Sequence, residues 1–166
     1  MTLEELFEQH HAALFRFIAG MTNDPEFAKD IVQETFMNLA SRPAAAGDLS
    51  KAWVFQLARN LALSGLRKRR RRMSLLQGRL GGVPVASAAV PPDLDLERAE
   101  ARAAVRRALA CLSEKERTIL LMREEGFTHR EIADAVGTTT GSVGTMFARA
   151  LTKLESGLGD AWREGR

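Results

Sequence analysis

Cysteine is nearly absent from this chain: Cys111 stands alone, beside three histidines, in 166 residues. One thiol excludes an internal disulfide and fits a reducing cytoplasm. Cys111, His10, His11 and His129 also lack the spacing of a structural zinc site, so no metal and no other cofactor is expected. No stretch approaches the roughly 18 uninterrupted apolar residues that would span a membrane. The acidic, amphipathic start "MTLEELFEQHH" does not read as a signal peptide. There is no Gly-rich phosphate loop, no metal cluster and no nucleophile set beside a base. His129 and Glu131 are two residues apart, and side chains so spaced on a helix do not face each other. An enzyme is therefore not expected. No region alternates apolar and polar residues with period two, so no sheet is expected either.

What is present is charge in one place. Hydrophobic residues make up 45% and charged residues 27%, as in an ordinary soluble globular protein, and the length suits one domain or two small ones. The run "RKRRRR" at residues 67–72 holds six of the 24 basic residues, and without it 18 basic residues face 21 acidic ones. Six adjacent cations repel one another unless an anion screens them, so the run reads as a phosphate-binding patch.

Helical periodicity organises the rest. Leu3, Leu6, Phe7, Leu14, Phe17, Ile18 and Met21 form one amphipathic stripe, opened by a Thr2–Glu5 capping box. A second helix should start at Asp24, with Pro25 where a missing N–H costs nothing. Its stripe is Ala28, Ile31, Val32, Thr35, Phe36 and Leu39. Ser50 can cap a third helix, with Trp53, Val54, Leu57, Ala58 and Leu61 turned inward, running on into the arginine tract. Cations near a helix C-terminus are favoured by its dipole. Residues 73–95, with "GGVPVASAAVPPD", lack a stripe and read as a flexible linker able to span roughly 75 Å when extended. Four helices should follow. The first carries Ala101, Val105, Ala108, Leu109 and Leu112, with Cys111 as a small packing residue. Ser113–Glu116 and Thr128–Glu131 are two more capping boxes. The last helix runs from about residue 140 to 155, with Val143, Phe147, Ala150, Leu151 and Leu154 inward. The expected fold is all-α: two small helical domains, residues 1–72 and 96–158, on a tether at 73–95, with a short tail at 159–166.

Two short helices around Gly137 fit a helix-turn-helix. Gly137 suits a left-handed residue at the end of the first. Ile132, Ala133 and Val143 fix the crossing, and Ala133 is small because the second helix must approach closely. The outward positions of that second helix are Ser142, Gly144, Thr145, Met146 and Arg149, then Thr152 and Lys153. Base readout is strongest through Arg or Lys on guanine, and Arg149 is the only cation in its first three turns. Alone, such a module should bind DNA weakly and need a second anchor.

Four passages in order carry a family resemblance: "DIVQETFMNLA" (30–40), "AWVFQLARNLALSGLRKRRR" (52–71), "LSEKERTILLMREEGFTHREIADAVG" (112–137) and "GSVGTMFARALTKL" (141–154). Over nearly its whole length the chain resembles the extracytoplasmic-function (ECF) group of bacterial sigma factors, the subunits that direct RNA polymerase to promoters. The resemblance implies that core RNA polymerase and promoter DNA are partners, in the cytoplasm, and that an anti-sigma protein is another. It implies that Asp30, Gln33 and Glu34 bind a coiled coil of the largest polymerase subunit. It places Asn60 on a flipped-out base of the −10 element, with Arg59, Arg67, Lys68 and Arg70 on phosphates while the strands separate. It places the second helix of the helix-turn-helix in the major groove of the −35 element, with Ser142, Thr145, Arg149 and Lys153 as contacts. Gly144 stands where many relatives carry a basic residue, so Thr145 and Arg149 are the main contacts carried over. The competing reading is a stand-alone helix-turn-helix regulator, which would bind duplex DNA without polymerase.

Overall fold

The computed structural model describes residues 2–41, 50–80 and 96–159. Seven helices occur among them and no strand. The chain divides into two compact units, Met1–Ala89 and Val90–Arg166. The first holds α1 (Leu3–Thr22), α2 (Pro25–Ala40) and α3 (Lys51–Leu80); the second holds α4 (Leu96–Ala110), α5 (Glu114–Glu124), α6 (His129–Val136) and α7 (Thr140–Leu158).

The helix starts follow local chemistry. The Thr2 hydroxyl accepts from the Glu5 amide at 3.2 Å while the Glu5 carboxylate accepts from the Thr2 amide at 2.8 Å, closing the expected box. Asp24 caps α2 through the Phe27 amide at 2.9 Å, with Pro25 in the first turn. The Ser113–Glu116 and Thr128–Glu131 boxes open α5 and α6. Between α1 and α2, Asn23 takes a left-handed conformation (φ 54°), which asparagine tolerates better than most residues.

In the first unit each helix packs on the other two. Leu6, Leu14, Phe17 and Ile18 of α1 meet Ala28, Ile31, Phe36 and Leu39 of α2 and Val54, Phe55, Ala58 and Ala62 of α3 in a buried core. Phe17 and Phe55 pack ring to ring at 5.2 Å, and full burial of such a side chain contributes about 1.5–3 kcal/mol. Thr35 is buried among them because its hydroxyl donates to the Ile31 carbonyl at 2.6 Å.

Several positions differ from the sequence pattern. On α3 the inward face is centred on Ala58. It includes Phe55 and Ala62, while Trp53, Leu57 and Leu61 are only half-buried. The face is displaced because α3 lies against α1 and α2 together, and covering both sets its rotation. Phe27 joins the core of α2 and Val32 sits at its edge. Phe7, expected inside, is 45% exposed. Helix α3 continues through residues 73–80, where the composition suggested linker. "MSLLQGRL" contains no proline and mostly good helix formers, so nothing in it stops the helix. The remainder of the expected linker, 81–95, and the tail from 160 lie outside the described residues.

The second unit is built around α7, which packs on α4, α5 and α6. Ala108 of α4 fits against Gly157, where an added Cβ would lie 3.1 Å from the Ala108 Cα. Ala101 and Val105, expected inside, are exposed, because α4 is buried through its last turns at Ala108 and, just past its end, Leu112. Cys111 is likewise exposed, its thiol donating to the Arg107 carbonyl at 3.4 Å. Arg117 closes the end of α4, donating to the carbonyls of Leu109 (2.9 Å) and Leu112 (3.1 Å).

Candidate functional site

Three surfaces hold the residues singled out from the sequence. The first is the outer face of α2. Asp30, Gln33 and Glu34 are all exposed there, one turn apart. They line a shallow groove with Met37, Asn38 and Ser41, and Met37 is 63% exposed. Gln33 and Met37 also line an adjoining apolar groove with Phe7, His11, Val32 and Phe36. Phe7 stacks flat on His11 (4.7 Å) and meets Phe36 edge-on (4.9 Å). The surface is thus carboxylates beside exposed apolar side chains, a composition suited to a protein partner. Sequence reasoning missed Met37. The signal was available: it lies seven residues after Asp30, on the outward face, where a large apolar residue has no core to fill.

The second surface is the outer side of α3. At about 100° per residue, Asn60, Arg67 and Arg71 fall within about 40° of one another and about opposite Ala58, the centre of the buried face. Asn60, Arg67, Lys68, Arg70, Arg71 and Arg72 are all exposed. The Arg67 Nε–H donates to the Leu63 carbonyl at 3.2 Å, which holds its guanidinium along the helix. Trp53 shares this side and is half-buried. Arg59, expected on a phosphate, is only 7% exposed and is not without a partner. It is next to Ala58 on the helix, so its stem runs along the core edge instead of into solvent. Arg69 also differs from its neighbours, because its guanidinium pairs with Asp24 at 2.8 Å.

The third surface is the helix-turn-helix. Ile132, Ala133 and Val143 are buried at the crossing, as the spacing predicts, and Val136 is buried as well. Gly137 is left-handed (φ 66°, ψ 56°), its N–H bonds back to the Ala133 carbonyl, and the Thr138 amide reaches the same carbonyl at 3.0 Å. Arg123 supports the turn before α6 by donating to the Phe127 carbonyl at 2.8 Å, and its guanidinium lies 6.0 Å from the Phe147 ring. Thr139 caps α7 by accepting from the Ser142 amide at 3.3 Å. On the exposed side of α7, Thr145 and Arg149 point outward. The other two expected contacts are engaged: the Ser142 hydroxyl shares a hydrogen bond with the Thr139 hydroxyl (2.8 Å), and Lys153 pairs with Glu116 at 2.6 Å. Lys153, then the Ser113 amide, holds the Glu116 carboxyl below its usual range. Gly144 leaves room that His129 borders: a Cβ there would lie 3.8 Å from the imidazole Cε1. His129 and Arg130 are exposed at the start of α6.

Among the described residues no group of three or more His, Cys, Asp or Glu could hold a metal ion, and no helix is long and apolar enough to cross a membrane. The three surfaces offer, in turn, carboxylates beside exposed apolar side chains, a cationic helix that carries the exposed Asn60 amide, and a helix that presents Thr145 and Arg149.

Comparison with known proteins assigns both units. Residues 6–72 match the family described as Sigma-70 region 2, and residues 102–154 the one described as Sigma-70, region 4. The chain is 30% identical over 156 residues to the ECF RNA polymerase sigma factor SigL of Mycobacterium tuberculosis H37Rv, covering 92% of this chain and 86% of the relative. It is 33% identical over 85 residues to the ECF RNA polymerase sigma factor SigM of Bacillus subtilis, covering 50% of this chain and 52% of that one. Among solved structures it is similar to the sigma factor RpoE of Bartonella quintana, determined in complex with the anti-sigma factor NepR. The TM-score is 0.74 at 26% identity, covering 93% of this chain and 95% of that one.

Proposed function

The chain belongs to the ECF group of sigma-70 factors, regulatory subunits of RNA polymerase that direct promoter-specific initiation, and from that premise we propose how its three surfaces divide the work. The outer face of α2, with Asp30, Gln33, Glu34 and the exposed Met37, docks on core polymerase. The outer side of α3 takes the −10 region. Asn60 pairs with the Watson–Crick edge of a base that leaves the stack, an edge inaccessible inside duplex DNA. Arg67, Lys68, Arg70 and Arg71 grip the backbone of the opened strands. The N-terminal half of α7 enters the major groove of the −35 element, with Thr145 and Arg149 as its principal contacts. Ser142 and Lys153 lie at the edge of that contact and engage DNA only by exchanging Thr139 and Glu116 for it. Arg59 has a structural role in the first unit.

The observation that carries this reading is the placement of Asn60. Its amide is exposed on the same stripe as Arg67 and Arg71, on the side of α3 turned away from the core. A purely structural asparagine has no reason to sit exposed in a helix beside a cationic stripe, because asparagine is a poor helix former. An anti-sigma protein is a natural antagonist. By covering the apolar and acidic face of α2 it would block polymerase, and the similar RpoE chain was solved with such a partner. The site of action is the cytoplasm, where polymerase and promoter DNA are.

The test separates docking from melting. Asn60→Ala should leave binding to core polymerase unchanged and reduce strand opening, read by permanganate reactivity of unpaired thymines on a promoter fragment. Parallel loss of core binding and opening would mean that Asn60 supports the fold and reads no base.

A further inference from the structure

We propose that Arg69 is a positioning residue, which fixes the arginine tract on the body of the first unit and takes no part in contacting DNA. The inference rests on the reading that the rest of the tract grips the DNA backbone. Arg69 donates from a terminal nitrogen to Asp24 Oδ2 at 2.8 Å, and its guanidinium carbon lies 4.0 Å from the centroid of the Phe27 ring. Asp24 uses its other oxygen, Oδ1, to cap α2 by accepting the Phe27 amide at 2.9 Å. One carboxylate therefore closes the start of α2 and receives α3 as well. Gly65, one turn before Arg69, completes the contact. A Cβ at that position would lie 2.7 Å from Phe27 Cζ, so the ring reaches the α3 backbone only because position 65 has no side chain. Phe27 is held between Gly65 and Arg69.

Helical geometry explains why this cation differs from its neighbours. Ala58, Ala62, Gly65 and Arg69 follow one another at spacings of four, three and four residues, the inward row of α3. Arg67 and Arg71 lie on the opposite side. Among the side chains described on α3, Ala62 is the last apolar one that is fully buried. Beyond it the helix continues to Leu80 with all six cations of the tract exposed, and Arg69 differs from the other five by its contacts, not by burial. Among the described residues, Arg69 makes the only ion pair from the tract back to the body of the unit. A helix arm held only as far as the Gly65–Phe27 contact could still swing and rotate beyond it. The Asp24–Arg69–Phe27 contact fixes both its direction and its rotation, which sets where the stripe of Asn60, Arg67 and Arg71 stands on the body of the unit. The Arg69 side chain is still 52% exposed, so what competes with phosphate is its pairing and stacking, since a bidentate grip on DNA requires the same fork.

Holoenzyme made from core polymerase and the full chain can be titrated on a promoter fragment recovered by genomic transcription, across a salt series. Arg69→Gln should weaken binding about fivefold with an unchanged slope of log K against log salt. Asp24→Asn should do the same, because asparagine still caps α2 but cannot pair with Arg69. The double variant should be no weaker than either single one, and Arg69→Lys, which keeps the charge without the flat stack, should recover part of the loss. Arg67→Gln, in contrast, should reduce the slope by about 0.7–0.9. The proposal is overturned by a reduced slope for Arg69→Gln, by additive losses in the double variant, or by a lower melting temperature with unchanged affinity. An unchanged slope for Arg67→Gln would remove the DNA-gripping premise itself, and the proposal with it.

Discussion

Gly137 is the hinge of the helix-turn-helix, and replacing it tests how the turn places α7. Its φ of 66° and ψ of 56° lie in the left-handed region, and nothing stands within 4 Å of an added Cβ. The cost of Gly137→Ala is therefore backbone strain alone, with no clash, and left-handed strain costs an L-residue about 1–2 kcal/mol. Asparagine tolerates that conformation better, so Gly137→Asn should cost about half as much. Native-state hydrogen exchange of the full chain reads this directly, since each unit reports on itself. Amides of α6 and α7 that exchange by unfolding of the second unit should speed up by roughly 5- to 30-fold in Gly137→Ala and less in Gly137→Asn. Amides of α1–α3 belong to the other unit and should be unchanged. Equal exchange in wild type and Gly137→Ala, or an Asn variant as perturbed as the Ala variant, would refute the strain argument. It would mean that the turn relaxes without constraining the recognition helix.

Two other changes probe charge and docking. The Glu116 carboxyl is held below its usual value by Lys153 and the Ser113 amide, so the folded second unit binds its proton less readily than the unfolded chain does. That stability is present above the unfolded carboxylate pKa of about 4.3 and is lost as pH falls through the lower folded value. Acid titration of α5 and α7 exchange should show this loss, and Glu116→Gln should flatten it; a variant with the wild-type acid profile would assign the loss elsewhere. On α2, Met37→Glu places a third carboxylate beside Asp30 and Glu34 at a side chain that is 63% exposed. It should leave circular dichroism and melting unchanged and weaken core-polymerase binding about tenfold or more, the loss expected when an apolar contact at an interface centre becomes charged. Undiminished binding in a pull-down titration would place the docking surface elsewhere.

The parts of this fold that were legible in the sequence are those set by neighbours three or four residues apart. Every capping box, the Asp24–Pro25 helix start and the left-handed Gly137 are of that kind, and the crossing residues Ile132, Ala133 and Val143 follow from short spacing. Where a contact spans tens of residues, the pattern was silent. Arg69 looks like any other member of a basic run until Asp24, 45 positions away, is found beneath it. Lys153 reads as an exposed cation on the recognition helix, yet Glu116, 37 positions away, holds it. Phe55 was missed, and Trp53, Leu57 and Leu61 were placed too far inward, for a related reason. The rotation of α3 is chosen by two partner helices, and a stripe read from one helix does not contain that choice. Phe7 and Met37 show the converse: they are apolar residues that the three-helix packing leaves exposed.

The division of labour among the surfaces also answers the low charge of α7. With Ser142 and Lys153 engaged inside the second unit, Thr145 and Arg149 form a weak reader. In the proposed division of labour a weak reader suffices, because polymerase and the arginine stripe of α3 would supply linked sites that act at high effective concentration.

Genomic transcription with core polymerase, with and without the chain, followed by mapping of RNA 5′ ends, tests the central claim most directly. The account predicts a new set of start sites that share two upstream elements at fixed spacing and that vanish with Asn60→Ala. No new start sites, together with tight binding of the chain to duplex DNA without polymerase, would contradict it and identify a stand-alone helix-turn-helix regulator.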